Sequence, residues 1–108
     1  MTPKQFSRYL QRDKGCVHCG ETETVSPHHR LNRGMGGSKE RDKPANIIVL
    51  CSWLNNALES ETKWASKARE YGWKLRSWED PLETWYYHLP AGEWRLNDNQ
   101  YGFIVRKL

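Results

Sequence analysis

The sequence contains little aliphatic material and no long apolar segment. Leu, Ile, Val and Phe together make up less than a fifth of the chain, a share at which strongly charged chains can be disordered. No apolar run approaches the ~18 residues of a membrane span, and the first residues, MTPKQFSRYLQ, lack the apolar stretch of a signal peptide. An odd count of three cysteines does not suit a disulfide framework and is typical of an intracellular protein. These absences argue against membrane, secreted-scaffold and fibrous proteins.

Aromatic residues supply what the aliphatic ones do not. The chain has six Trp and five Tyr, and every Trp lies after residue 52. Each of these side chains can bury roughly 150–250 Å². A length of 108 residues fits one small domain. We therefore expect a single folded unit over residues 1–108, in which the aromatic residues of the tail belong to the core rather than to a base-stacking surface.

The excess of positive charge lies in the first half of the chain. Residues 1–50 hold nine Lys and Arg against five Asp and Glu, whereas residues 51–108 hold eight of each. A local basic cluster suits a polyanionic partner, because each neutralised phosphate releases counterions. A solvated loop is the alternative explanation. The cluster occupies fourteen positions and consists of Arg30, Arg33, Lys39, Arg41 and Lys43.

The pattern of apolar residues predicts three helices. The first covers residues 3–11 and the second residues 52–59. The third begins after an N-cap at Ser60 and ends at Gly72, which is suited to a helix C-terminus.

Strands are predicted between and after these helices. Residues 23–29 and 46–51 read as two strands, joined by a flexible and exposed glycine-rich loop over residues 31–45. A β-hairpin over residues 85–96 and a last strand near residues 103–105 follow. The predicted fold class is a small single α+β domain.

The cysteines have the spacing of metal ligands. Cys16 and Cys19 form a Cys-x-x-Cys knuckle, and Cys51 ends the second predicted strand. A structural Zn²⁺ needs four ligands in a tetrahedral array. A second knuckle would need a cysteine at position 54, where the chain has Leu54.

The fourth zinc ligand would then be a histidine, either His18 inside the knuckle or His88 in the tail, or a residue that the pattern does not identify. The alternative is that three reduced thiols pack as small hydrophobic groups.

A second polar group surrounds the glycine-rich loop. His28 and His29 close the first predicted strand, Asn46 opens the second, and Asn55 lies near the start of the following helix. Adjacent strand residues project to opposite faces, so the two histidines share a site only if the strand is irregular at its end. A neutral imidazole beside a divalent cation is the pair that phosphodiester hydrolysis needs. Taken singly, each residue is also typical of a surface or capping position.

The order of these motifs resembles that of HNH endonucleases, the His-Me finger nucleases with a ββα-metal fold. The elements that carry the resemblance are Cys-x-x-Cys-Gly, His-His-Arg, Gly-Gly-Ser, Asn-Ile-Ile-Val-Leu-Cys and the helix that follows. The chain resembles in particular small HNH proteins of actinobacterial phages. The core motif covers about residues 12–60, and residues 61–108 form an aromatic helix and hairpin extension.

The resemblance implies a role for each polar residue. His29 would be the general base that activates water, and Asn46 would brace the loop and orient that base. His28 and Asn55 would ligate the catalytic Mg²⁺ or Mn²⁺, with Asn56 as a less suitable substitute for Asn55. Because the family usually has His at this last position, the chain would be an HNN variant.

The resemblance also assigns the cysteines and the partner. Cys16, Cys19 and Cys51 match three of the four structural zinc positions. DNA would be the substrate, and the basic residues beside the histidine pair would contact its phosphates. These residues are Arg30, Arg33 and Lys39.

The predicted function is a metal-dependent DNA endonuclease that leaves a 5′-phosphate and a 3′-hydroxyl. It would be phage-encoded and cytoplasmic, with a packaging terminase or a second copy of the chain as further candidate partners. The alternatives are a non-catalytic DNA-binding module on the same frame and a zinc-knuckle interaction module.

Overall fold

The fold is built around one strand that is buried on both faces. The computed structural model describes residues 1–32 and 39–106. Strand β2, Ile47–Cys51, is buried at all five positions. It pairs antiparallel with β1, Val25–His29. Both predicted strands are therefore confirmed, each slightly shorter than its predicted span.

Helices cover the two faces of this pair of strands. Helix α1, Pro3–Asp13, packs on the face that carries Ile47 and Val49. Helix α2, Ser52–Ser60, follows β2 without a break and packs on the face that carries Ile48 and Leu50. The alternation of side chains along β2 thus divides the core between two helices.

The rest of the chain adds a third helix and a second sheet. Helix α3 is Thr62–Glu70. Strands β3 (Tyr86–His88), β4 (Glu93–Asn97) and β5 (Phe103–Arg106) form an antiparallel sheet in that order. The predicted hairpin and last strand are confirmed. Together the described elements form one small α+β unit, as the sequence predicts.

The start of the third helix differs from the prediction. Ser60 does not cap α3; it is the last residue of α2, and its hydroxyl donates to the Asn56 carbonyl over 2.9 Å. Glu61 occupies the N-cap position of α3 instead. Gly72 follows the helix with a φ of +76°, and a Cβ there would lie 2.2 Å from the Trp85 carbonyl oxygen. This close approach requires glycine and ends the helix as predicted.

The described end of the glycine-rich segment differs from the prediction of an exposed loop. Its second half forms two short 3₁₀ helices, Lys39–Asp42 and Pro44–Asn46. Ala45 and Asn46 are buried there. Residues 33–38 lie outside the described part of the chain.

A buried ion pair at the end of α1 bonds to the edge of β2 that does not pair with β1, and no periodic pattern in the sequence indicates it. Arg12 Nε donates to Asp13 Oδ1 over 2.7 Å. Asp13 Oδ2 accepts the backbone N–H of Val49 over 3.0 Å. His88 Nε2 donates to the Asp13 carbonyl over 2.7 Å, which ties the second sheet to the same point.

The aromatic residues of the tail divide between core and surface. Trp73 and Tyr86 are fully buried and join the core on the α2 face, which confirms their predicted role. Trp78 is 78% exposed. Among the described residues, none of the helices combines the length and apolar character needed to cross a bilayer.

Candidate metal and nucleic-acid site

The two histidines at the end of β1 point to opposite faces of the strand pair. His28 lies opposite Ile48, on the face covered by α2, and His29 lies opposite Ile47, on the face covered by α1. This is the regular alternation of a strand, which continues to the last residue of β1.

His28 is buried and neutral. Its Nε2 donates to the Trp73 carbonyl oxygen over 2.7 Å, and the side chain of Asn55 is a second hydrogen-bonding partner. Burial lowers the pKa of His28 to about 4. A neutral imidazole with one nitrogen anchored to a carbonyl is the usual state of a metal-ligating histidine.

Asn55 approaches His28 from the first turns of α2. Its Nδ2 donates to Ser26 Oγ over 2.8 Å, so its side-chain oxygen is the atom suited to a hard cation. Asn55 is half-buried, whereas the neighbouring Asn56 is exposed. The structure thus brings the side chains of His28 and Asn55 together.

His29 occupies a cleft on the other face. Its Nε2 lies 2.8 Å from Asp42 Oδ1, and about a quarter of its side chain is exposed. The cleft has a volume of about 410 Å³ and is also lined by Tyr9 and Tyr101. His29 and Asn55 therefore lie on opposite faces of the strand pair, and a phosphate could meet both only around the end of β1.

Asn46 joins the chain that leaves β1 to the chain that enters β2. Its Nδ2 donates to the carbonyls of Leu31 (3.1 Å) and Arg41 (2.8 Å), and its Oδ1 accepts the Leu31 N–H over 2.8 Å. The backbone N–H of Arg30 donates to the Asn46 carbonyl. This network braces both ends of the glycine-rich segment beside His29.

Arg30 cannot contact DNA phosphate, and the prediction for it is wrong. The residue is fully buried, and every guanidinium nitrogen donates to a backbone carbonyl. The guanidinium also lies 5.3 Å from the ring centre of Tyr86. Burial lowers its pKa to about 10, which leaves it charged at neutral pH. The accepting carbonyls belong to Gly72, Ala45, Pro81 and Thr84.

The structure does not describe the other two predicted phosphate contacts. Arg33 lies outside the described residues, and Lys39 begins a 3₁₀ helix without a described side chain. Arg8 is an exposed cation near the His29 cleft that no sequence motif indicates. Its guanidinium carbon is 5.3 Å from the ring centre of Tyr101, which lines the cleft.

The three cysteines converge on one point. The sulfur atoms of Cys16, Cys19 and Cys51 all lie within 4.8 Å of one another, so they could hold a metal ion such as zinc. Backbone N–H groups of His18 and Leu54 donate to Cys16 Sγ and Cys51 Sγ, each over 3.4 Å. Burial raises the pKa of Cys16 to about 12, so an incoming metal must displace a thiol proton.

Neither histidine proposed as the fourth ligand joins the cysteines. Among the described residues, the group of Cys, His, Asp and Glu side chains at this point contains the three cysteines alone. His18 packs edge-on against Trp64 and Trp73. His88 uses both ring nitrogens elsewhere, on the Asp13 carbonyl and the Ala91 N–H. Those two assignments are wrong, because core packing and hydrogen bonds hold both rings away.

Asp42 and Trp73 are the site residues that sequence reasoning missed. Asp42 lies in a run of charges without a periodic pattern, and Trp73 contributes its backbone carbonyl, which no side-chain motif reveals. Both reach the histidines from distant parts of the chain.

Comparisons with known proteins add no assignment. No family model matches the chain, and searches of curated proteins and of solved structures found no significant match.

We expect Arg30→Met to lower the free energy of unfolding by about 3 kcal/mol or more, because it leaves buried carbonyls without donors. Urea unfolding measures this loss. The matched change Arg69→Met, at an exposed position of α3, should leave stability nearly unchanged. If the Arg30→Met variant were stable but bound DNA more weakly, that result would contradict the structural role and support Arg30 as a phosphate contact.

Acid should destabilise the protein through His28. Its pKa is about 6.5 when unfolded and about 4 when folded, so between these values the unfolded chain binds a proton that the folded protein does not. The free energy of unfolding should therefore fall as pH drops from 6.5 to 4, by up to about 3 kcal/mol.

Urea titrations at several pH values, with EDTA and a reducing agent present, measure this effect. His28→Gln can keep a donor for the Trp73 carbonyl but does not titrate, so its stability should depend less on pH. An equal pH dependence in both proteins would contradict the assignment. Burial also lowers the pKa values of His18 and His88. These two residues contribute equally to the pH dependence of the wild-type protein and of His28→Gln.

Proposed function

We propose that the protein is a metal-dependent DNA endonuclease of the HNH type. The contact between His28 and Asn55 across β1 and α2 is the observation that carries this proposal. It brings together a neutral imidazole and a side-chain amide that lie 27 positions apart in the sequence, in the pattern that the motif resemblance implies. The anchored Nε2 of His28 adds the carbonyl contact expected behind a metal-ligating imidazole.

His28 and Asn55 would hold the Mg²⁺ or Mn²⁺. A nitrogen and an amide oxygen suit these ions, although a site without a carboxylate binds them weakly and relies on DNA phosphate to complete the ligand set. When bound, the ion offsets negative charge on the phosphate and on the leaving oxygen. Asn55, the less buried of the pair, gives the side from which DNA would reach the ion.

His29 would act as the general base. It is the last residue of β1, it is partly exposed, and it lies in a cleft of sufficient size for a sugar-phosphate unit. The imidazole takes a proton from water as the water oxygen bonds to phosphorus, and the bond from phosphorus to the 3′ oxygen breaks. Arg8, on α1 beside Tyr101, replaces Arg30 as a candidate phosphate contact.

The cysteine cluster would hold a structural Zn²⁺. It joins the segment before β1 to the junction of β2 and α2. Its proposed role is therefore structural and separate from that of the His28–Asn55 pair. With three protein thiolates, the fourth zinc position would be filled by a ligand from solution. A zinc-stabilised interaction module without nuclease activity is the second candidate, which this cluster alone would favour.

Purified protein should nick supercoiled plasmid when Mg²⁺ or Mn²⁺ is present, and EDTA should stop the reaction. His29→Ala should reduce the rate by about 100-fold or more, since general-base catalysis contributes at least that factor. Asn55→Ala should raise the Mg²⁺ concentration that gives half the maximal rate. Gel analysis of plasmid forms against time measures each effect.

Arg69→Met, at an exposed site on α3, is the control for purification and folding. Equal nicking by wild type and His29→Ala would indicate a contaminating nuclease and contradict the proposal. A salt-dependent shift of DNA with no cleavage under any divalent ion would identify a non-catalytic DNA-binding module instead.

Elemental analysis of protein purified under reducing conditions should find about one zinc ion per chain. Cys16→Ser should lose that zinc and lower the thermal midpoint, because binding of the metal stabilises the folded chain. Asn55→Ala should keep its zinc, since Asn55 lies at the other proposed metal site. Unchanged metal content and midpoint in Cys16→Ser would show that the cluster is a set of packed thiols.

A further inference from the structure

The hydrogen bond between His29 and Asp42 determines which ring nitrogen is basic. Asp42 Oδ1 lies 2.8 Å from His29 Nε2. An ionised carboxylate only accepts hydrogen bonds, so the proton of the neutral imidazole must lie on Nε2. The nitrogen that remains able to accept a proton is Nδ1.

Asp42 is itself held in place by the same asparagine that braces the loop. It is the last residue of the 3₁₀ helix Lys39–Asp42, and the carbonyl of the preceding residue, Arg41, accepts from Asn46 Nδ2 over 2.8 Å. Asn46 also bonds both backbone groups of Leu31, two residues after His29. One buried side chain therefore fixes the two segments that carry His29 and Asp42.

We propose that Asp42 is a positioning residue for His29: it holds the proton on Nε2 and directs Nδ1 to the attacking water. This inference rests on the proposed endonuclease function and adds the residue and the ring atom through which the base acts. It also explains how Asn46 would orient the base: Asn46 holds the Arg41 carbonyl, and the next residue, Asp42, holds the His29 ring.

The proton balance follows from this arrangement. Water attacks phosphorus, its proton passes to His29 Nδ1, and the 3′ oxygen leaves and takes a proton from solvent. The imidazolium that forms is bonded through Nε2 to the Asp42 carboxylate, which stabilises its positive charge. The ring then returns its Nδ1 proton to solvent.

If Asp42 acted only through its negative charge, removing it would have an effect opposite to the one that a positioning role predicts. A carboxylate near a bound phosphate repels it, so its loss should tighten DNA binding and speed cleavage if the residue has no other role. A positioning role predicts slower turnover at unchanged or tighter binding. The two explanations therefore differ in sign.

The test compares Asp42→Asn with wild type in steady-state cleavage of a labelled duplex. We expect kcat to fall by about tenfold or more while KM stays the same or decreases. Asp42→Glu, which keeps the carboxylate, should recover part of kcat. Glu70→Gln removes one negative charge from an exposed site on α3 and should leave kcat unchanged.

A spectroscopic measurement examines the hydrogen bond without cleavage. Long-range proton–nitrogen correlation spectra of the wild-type protein in alkaline buffer should identify His29 as the Nε2–H form, with a downfield and slowly exchanging Nε2 proton. That proton should exchange faster in Asp42→Asn.

An Nδ1–H form of His29 in wild type would overturn the inference, whether or not the variants fold. Full kcat in Asp42→Asn would overturn it too. If wild type nicks DNA and His29→Ala does not, such results reject the role of Asp42 alone; a wild-type protein that never nicks rejects the endonuclease proposal.

Discussion

The buried guanidinium of Arg30 is the interaction on which the arrangement of the site depends. A charge without solvent must have its donors satisfied, and Arg30 meets this requirement with carbonyls from both halves of the chain. It follows directly after His28 and His29, so the same bonds that hold the tail against the first half also fix the end of β1. The tail is thereby part of the site: it supplies the Trp73 carbonyl that anchors His28.

The strand pair separates two kinds of chemistry that the motif places side by side. The α2 face holds a dry, neutral imidazole and an amide, which suit a cation. The α1 face holds a half-open cleft with a histidine and a carboxylate, which suit proton transfer. The consecutive residues His28 and His29 lie on different faces because β1 remains regular to its last residue. Any substrate that uses both groups must reach around the end of that strand.

The cysteine cluster and the aromatic tail contribute to the same region of the fold. The cluster lies beside α2, with two backbone N–H groups donating to its sulfurs. Leu54, in the position where a fourth cysteine is expected, is fully buried in the core with Trp73 and Tyr86. Apolar packing thus occupies the position at which the motif resemblance implies a fourth cysteine, and His18 packs against Trp64 and Trp73 rather than joining the sulfurs.

The order and type of the elements were decided by the local sequence. An uninterrupted apolar run suffices to bury Ile47–Cys51, and the strands, the hairpin and the knuckle also depend on near neighbours. The start of α3 and the structure of residues 39–46 escaped prediction, because capping and burial there depend on distant contacts. Only the tertiary structure decided what each polar residue does. Arg30 looks like a surface cation in sequence and becomes a core residue, since its partners lie 15 to 54 positions away. Asp42 lies in a run of charges in sequence and becomes the hydrogen-bond partner of His29 because folding brings the two side chains together.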